Sequence, residues 1–206
     1  QCELKSHMSH FDYGNYSYHL GEIFANQSEY LAAKNFYLKA LDVFIVTLGV
    51  HHPQTVTCLK IIGDMYTFLN DYKSAEQYYL SVIDNIQLIH DGSHLFLADP
   101  FSKLGRLYWD ILDYKQAETY YLKAWEILKG FRTNTECIIG IINLLQDISD
   151  LYLEIGEYHH SEKYLLEATE LSRAHEIDSI KSFITPTYTV CDVPLKFASV
   201  HASKGR

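Results

Sequence analysis

The chain has 206 residues, of which 48% are hydrophobic and 21% are charged, and its formal net charge at pH 7 is −9. This composition excludes wholesale disorder, and the acidic balance argues against a nucleic-acid partner, whose phosphates require a basic face. No apolar run approaches the roughly 20 residues that a membrane-spanning helix needs, and the four cysteines form no CxxC pair, which is typical of a reduced, cytoplasmic protein.

A glycine within an apolar stretch recurs every 42 residues along the chain. Gly21, Gly63 and Gly105 occupy the same position in three consecutive segments, and Ser149 takes that position in a fourth segment, 44 residues after Gly105. A tyrosine follows nine residues after each of them, and a small residue three residues later. A regular period of this length is the sequence signature of stacked repeat units, each built from one supersecondary element.

Each unit contains two segments with the apolar spacing of an amphipathic helix. In the third unit, Leu104, Leu107, Tyr108 and Ile111 lie at i, i+3, i+4 and i+7, which is the spacing of one helix face. Small residues at the crossing allow the two helices of a unit to approach closely. In chain order the predicted helices cover residues 12–26 and 30–48, 54–69 and 72–89, 97–111 and 114–129, and 135–155 and 158–175. His10, His52 and His94 share the 42-residue period and are predicted to cap or pack a helix start.

The glycine and tyrosine pattern resembles that of the tetratricopeptide repeat family. The 42-residue spacing, together with the segment Leu48-Gly49-Val50-His51-His52-Pro53, is similar to the longer subtype found in kinesin light chains. The resemblance covers residues 6 to about 175 and implies an all-α fold, a right-handed α-α superhelix, or solenoid, of four helical hairpins. The asparagines with which that family holds bound peptides are missing from residues 59–63 and 101–105, so motor association is not implied.

The repeat pattern divides the chain into three parts. Residues 1–10 are predicted to be the end of a preceding repeat or a linker. Residues 11–176 form the array, with repeats at about 11–48, 54–90, 96–130 and 135–175. Residues 177–206 form a C-terminal tail in which Pro186 and Pro194 oppose a helix. Three alternatives remain for the tail: a short helix capping the last repeat, an extended strand docked on its own or a neighbour's surface, or a linker.

Candidate binding residues lie on the first helix of each hairpin, because these helices line the concave surface of such a superhelix. The candidates are the side chains off the core stripe: Tyr18 and His19, then Lys60, Asp64 and Phe68, then Lys103, Arg106, Trp109 and Asp110, and finally Gln146 and Asp150. Lys103 and Arg106 are three residues apart and share a face with Trp109, which predicts a hot spot for an acidic or aromatic peptide. Alternatively, Trp109 packs between repeats and the two cations are merely solvated.

No pattern in the sequence indicates catalysis, a cofactor or a metal. Nucleophile motifs, HExxH, the P-loop and GxGxxG are all missing. The adjacent pairs His51–His52 and His159–His160 would diverge by roughly 100° on a helix, so neither pair easily shares an ion. We therefore predict a non-catalytic protein–protein interaction scaffold or adaptor that binds a protein or peptide segment in its concave groove.

Two alternatives to this function remain open. The repeats could be a structural self-association module that makes a homo-oligomer, with or without self-contact through the tail. They could also be the regulatory domain of a larger multidomain protein.

Overall fold

The computed structural model describes residues 10–89 and 95–175. These residues form eight α-helices and two short 3-10 turns, Leu95–Leu97 and Lys129–Phe131, with no strand in this part of the chain. The helices are α1 (His10–Asn26), α2 (Tyr30–Leu48), α3 (Pro53–Phe68), α4 (Tyr72–Ile89), α5 (Ala98–Asp110), α6 (Tyr114–Leu128), α7 (Thr135–Glu154) and α8 (Tyr158–Ala174). The prediction of an all-α fold of helical hairpins is confirmed. The predicted tail, 177–206, lies outside the described residues.

The chain divides into two compact units, Gln1–Ile127 and Leu128–Arg206. We call the first helix of each hairpin (α1, α3, α5, α7) the A helix and the second (α2, α4, α6, α8) the B helix. In the first unit, α1 packs on α2 and α3 on α4, and the B helices α2 and α4 also pack on the next A helix, α2 on α3 and α4 on α5. In the second unit, α7 packs along α8.

A tyrosine ring of the B helix lies directly against the glycine of the A helix in the first three hairpins. A Cβ atom added to Gly63 would lie 2.8 Å from the ring of Tyr79, and one added to Gly105 would lie 2.5 Å from the ring of Tyr121. Both rings are fully buried. The repeated glycine is therefore required because the ring occupies the space of a side chain.

The fourth hairpin replaces this contact with a hydrogen-bonded pair of serines. Its B helix has Leu165 where the other three have a tyrosine, so the A helix can carry a side chain at Ser149. The Ser149 hydroxyl donates to the backbone carbonyl of Ser161 at 3.0 Å and lies 2.9 Å from the Ser161 hydroxyl. Both serines are buried, and each satisfies the other's polar group.

A second aromatic contact links the two helices of every hairpin. The rings stack with centroids 5.2–5.7 Å apart and planes within 3–22° of parallel. The pairs are Phe24 with Phe36, Tyr66 with Tyr78, Tyr108 with Tyr120, and Tyr152 with Tyr164. Stacked aromatic pairs add stability beyond the area they bury, and these pairs account for eight of the 27 tyrosines and phenylalanines in the sequence.

The turn between A and B helices uses one left-handed residue at the same position in each hairpin. These residues are Ser28, Asn70, Leu112 and Gly156, with φ angles of 61°, 59°, 64° and 83°. Glycine and asparagine tolerate this conformation, whereas a leucine Cβ is strained there. Leu112 is also 69% exposed, so burial does not compensate for the strain.

Gly63→Ala is expected to lower the free energy of unfolding by about 1–3 kcal/mol, because the new methyl group overlaps the Tyr79 ring. Urea unfolding followed by circular dichroism measures the change. Gly140→Ala in α7 is the matched control. It has no atom within 4 Å of the added Cβ and should gain about 0.5–1 kcal/mol from helix propensity. Equal effects at the two glycines would contradict the ring-packing explanation.

Leu112→Asn is expected to raise the free energy of unfolding by roughly 0.5–1 kcal/mol, because asparagine adopts the left-handed conformation at lower cost. Leu112→Ala removes the same exposed apolar side chain but keeps the strained Cβ, so its stability should stay near that of the unchanged protein. Thermal unfolding of both variants measures the difference. A gain shared by Leu112→Ala would assign the effect to the lost apolar surface rather than to the backbone.

Candidate functional site

Two ion pairs join the A helices α3 and α5 in the first unit. Lys60 Nζ lies 2.8 Å from Asp99 Oδ2, and Lys103 Nζ lies 3.1 Å from Asp64 Oδ1. In each pair one residue belongs to α3 and the other to α5. Three of the predicted site residues, Lys60, Asp64 and Lys103, are thus brought together on neighbouring A helices.

The Asp64 carboxylate connects this surface to the core of the second hairpin. The Tyr79 hydroxyl donates to Asp64 Oδ1 at 2.7 Å and lies 3.2 Å from the Thr67 hydroxyl. Burial raises the pKa of Tyr79, and the Asp64 charge raises it further, so the hydroxyl stays protonated as a donor. The Asp64 carboxylate is therefore oriented by a core residue. Because this carboxylate pairs with Lys103, the lysine ammonium is not merely solvated.

The next turn of α5 carries a cation above an indole ring. The Arg106 guanidinium lies 5.0 Å from the centroid of the Trp109 ring, and Arg106 Nε donates to Asp110 Oδ1 at 3.3 Å. The Arg106 side chain is 56% exposed, while Trp109 is half-buried. The arrangement places a half-buried indole ring, a cation and a carboxylate within about one turn of helix.

The two predicted site residues on α1, Tyr18 and His19, have different environments. Tyr18 is half-buried, with its ring edge-on to Tyr37 at 5.4 Å and tilted against Phe44 at 6.3 Å, so it packs at the margin of the core. Burial raises its pKa. His19 is exposed and pairs with Glu22 on its own helix at 2.8 Å.

Three other predicted residues take no part in the ion pairs between α3 and α5. Phe68 ends α3, is 55% exposed, and stacks on Tyr30 with ring centroids 4.5 Å apart. Gln146 and Asp150 are half-buried one turn apart on α7, which belongs to the second unit.

The sequence pattern missed Asp99 and the apolar cleft beside it. This cleft has a volume of about 580 Å³, and its apolar lining includes Val56, Val82, Phe96 and Pro100. Asp99 lies in the first turn of α5, ahead of the repeated glycine motif. Its position close to the helix start, where acidic residues are favoured, is the one local signal that could have marked it.

The described residues contain no cluster of three or more histidine, cysteine, aspartate or glutamate side chains that could hold a metal ion. His52 caps α3, where its ring nitrogen accepts from the backbone N–H of Gln54 at 3.2 Å, which agrees with its predicted role. Burial raises the pKa of the Cys58 thiol to about 12, and its Sγ donates to the backbone carbonyl of Tyr37 at 3.4 Å. A thiol in this state is a packing group and a poor nucleophile.

No helix within the described ranges has the length and apolar character that crossing a membrane requires.

Paired helices with a repeated glycine–tyrosine contact define a helical repeat protein. Sequence profiles described as tetratricopeptide repeat match residues 13–87 and residues 98–127 and 142–175. These ranges cover more than half of the chain, so it belongs to the tetratricopeptide repeat family. No curated protein matches the sequence.

Several solved structures share the fold at low sequence identity. BtubC (BKLC) from P. vanneervenii superposes with a TM-score of 0.74 at 18% identity over 85% of this chain and 68% of its own. The apo form of RapI superposes with a TM-score of 0.68 at 14% identity, over 84% of this chain and 60% of RapI. MamA superposes with a TM-score of 0.57 at 20% identity, over 79% of this chain and 80% of MamA. A Rap protein complexed with Competence and Sporulation Factor gives 0.67 at 16% identity over 82% of this chain and 45% of that protein.

The Asp64–Lys103 ion pair is expected to stabilise the first unit. A double-mutant cycle with Asp64→Asn and Lys103→Gln should give a coupling energy of about 0.5–1 kcal/mol, at the upper end for surface pairs, because the Asp64 side chain is only 20% exposed. Urea unfolding at low and high salt measures the coupling and its screening.

The matched control for this cycle is the pair Arg106 and Asp110, four residues apart on the single helix α5. Such pairs contribute about 0.2–0.5 kcal/mol, so its coupling should be smaller. If Asp64 and Lys103 show no coupling, Lys103 is a solvated cation after all.

Proposed function

We propose that this protein is a non-catalytic scaffold or adaptor, and that the A-helix face formed by α3 and α5 binds a segment of a partner protein. The observation that carries this proposal is the half-buried Trp109 with the Arg106 guanidinium above its ring, next to the Lys103–Asp64 pair. Tryptophan and arginine are the residues most enriched among binding hot spots.

The chemistry of this face favours a partner segment that combines an aromatic or apolar side chain with an acidic one. The half-buried indole ring offers apolar area, and an arginine guanidinium can pair with a carboxylate. Asp110 accepts a hydrogen bond from Arg106 Nε, which helps to orient the guanidinium above the Trp109 ring. A side chain already held in place loses less entropy on binding.

The composition of the A-helix face favours binding over catalysis. Its acidic groups, Asp64, Asp99 and Asp110, each contact a cation, so none is arranged as a general base next to a nucleophile. The Rap protein whose structure is complexed with Competence and Sporulation Factor provides a precedent for this fold holding a bound factor. The free thiols of Cys58 and Cys137 support a reduced, cytoplasmic location.

Trp109→Ala and Arg106→Glu are each expected to weaken the partner complex at least about tenfold, as loss of a hot spot does, while the helical circular dichroism signal is retained. The measurement is a quantitative pull-down from native extract, with proteins identified by mass spectrometry and then titrated individually against the purified variants. Unchanged affinity in both variants would exclude this face.

The control variant for this experiment is Val46→Ser on the B helix α2. Val46 is 80% exposed. Its replacement therefore removes exposed apolar surface, as Trp109→Ala does, but on a B helix instead of an A helix. A protein captured equally by the unchanged chain and Val46→Ser, and lost in Trp109→Ala, is the expected partner. Loss in all three variants would indicate nonspecific hydrophobic capture and contradict the assignment.

A further inference from the structure

The apolar cleft of the first unit opens between the start of α3, the end of α4 and the start of α5. Its volume of about 580 Å³ lies within the range of roughly 300–1,000 Å³ that is typical of small-molecule sites. The lining residues Val56, Val82, Ile86 and Pro100 are buried, whereas Phe96 is 63% exposed. The cleft is therefore a cavity of ligand size whose apolar walls belong to the core.

The first hairpin packs three aromatic rings at positions equivalent to part of this lining. The ring centroids of Phe11 and Tyr18 each lie 6.3 Å from that of Phe44, and Phe44 is fully buried. Forty-two residues later, the same three positions hold Pro53, Lys60 and Ile86. None of these three side chains is aromatic, so the cleft lies where the second hairpin lacks the rings of the first.

Three polar side chains of the cleft lining already have partners within the protein. Lys60 Nζ pairs with Asp99 Oδ2 at 2.8 Å, and both residues line the cleft. His51 Nδ1 lies 2.7 Å from Asn85 Oδ1. A ligand with a charged group would have to displace one of these partners or bury an unpaired charge, which is costly. A neutral ligand leaves both contacts intact.

We infer that this cleft is a binding site for a small neutral aromatic molecule, whose rings take the place that Phe11 and Tyr18 occupy in the first hairpin. Binding is stabilised by removal of apolar surface from water, including that of the exposed Phe96 ring, and by ring packing. Neither Trp109 nor Arg106 is among the described residues that line the cleft. The inference is therefore independent of the proposed partner-binding face.

The test uses N-phenyl-α-naphthylamine, a neutral aromatic probe whose fluorescence rises in apolar surroundings. Titration of the 206-residue chain should give saturable binding at a single site, with a Kd on the order of 10 µM. The methyl NMR signals of Val56, Val82 and Ile86 should shift on binding, because these side chains line the cleft. Those of Ile23 and Val46, which are exposed on other helices, should not. Shifts confined to Ile23 and Val46, or no saturable binding, overturn the inference.

Pro53→Phe combined with Ile86→Phe gives the cleft two of the aromatic residues of the first hairpin. The added rings occupy the ligand's space, so affinity for the neutral probe should fall at least about tenfold. The matched control is Leu88→Phe, which adds the same ring on α4 at a position that is 74% exposed, and its affinity should stay within about twofold. Circular dichroism verifies that both variants are helical. Full binding by the filled variant overturns the inference, and the NMR measurement, which needs no variant, decides the result if that variant does not fold.

Two further probes test the chemical class of the ligand. Anilinonaphthalene sulfonate, which adds a negative charge to similar rings, should bind at least about tenfold more weakly because the sulfonate competes with Asp99 for Lys60. Asp99→Asn should raise the affinity for the sulfonate at least about threefold and leave that for the neutral probe within about twofold. N-acetyltryptophanamide, which offers one aromatic side chain, should also bind at least about tenfold more weakly. If the sulfonate binds the unchanged chain as tightly as the neutral probe, the neutral class is wrong. Equal affinity for the tryptophan amide overturns the inference as well, since a partner's side chain would then be the occupant.

Discussion

The contact between a glycine of the A helix and a tyrosine ring of the B helix sets the geometry of the first three hairpins. Because Gly63 has no side chain, the Tyr79 ring lies against the backbone of α3, and the two helix axes can approach closely. The ring places its hydroxyl beside Asp64, and that carboxylate in turn holds Lys103 of the next A helix. One steric requirement in the core therefore determines where charged groups lie on the candidate binding face.

Most of the fold can be predicted from the sequence, because the residues that repeat every 42 positions are those that helix packing constrains most strongly. The helix end at Leu48 was predicted to the residue, since Gly49 marks it. The stacked pairs such as Tyr66 with Tyr78 were not recognised, although their positions recur in every hairpin. The two residues of each pair lie on different helices, so the apolar periodicity within one helix does not reveal the contact between them.

The candidate site was less predictable, because the partners of its side chains lie on other helices. The sequence predicts Lys60, Asp64 and Lys103 on the groove-lining face of the A helices, but the pairing of Lys60 with Asp99 depends on the distance between α3 and α5. Trp109 was expected either to bind a partner or to pack between repeats. The structure leaves it half-buried beneath Arg106. The sequence could not specify this contact, because cation–ring contacts depend on rotamers that no period encodes.

The buried serine pair of the last hairpin is linked to a third position on the same two helices. In the first three hairpins these three positions hold glycine, alanine and tyrosine, and in the last they hold Ser149, Ser161 and Leu165. Changing Leu165 alone to tyrosine would drive a ring into the Ser149 side chain, and changing Ser149 alone to glycine would strip Ser161 of its hydrogen-bond partner. Each of these single changes is expected to destabilise the last hairpin, so the two packing arrangements are compatible only when the residues change together.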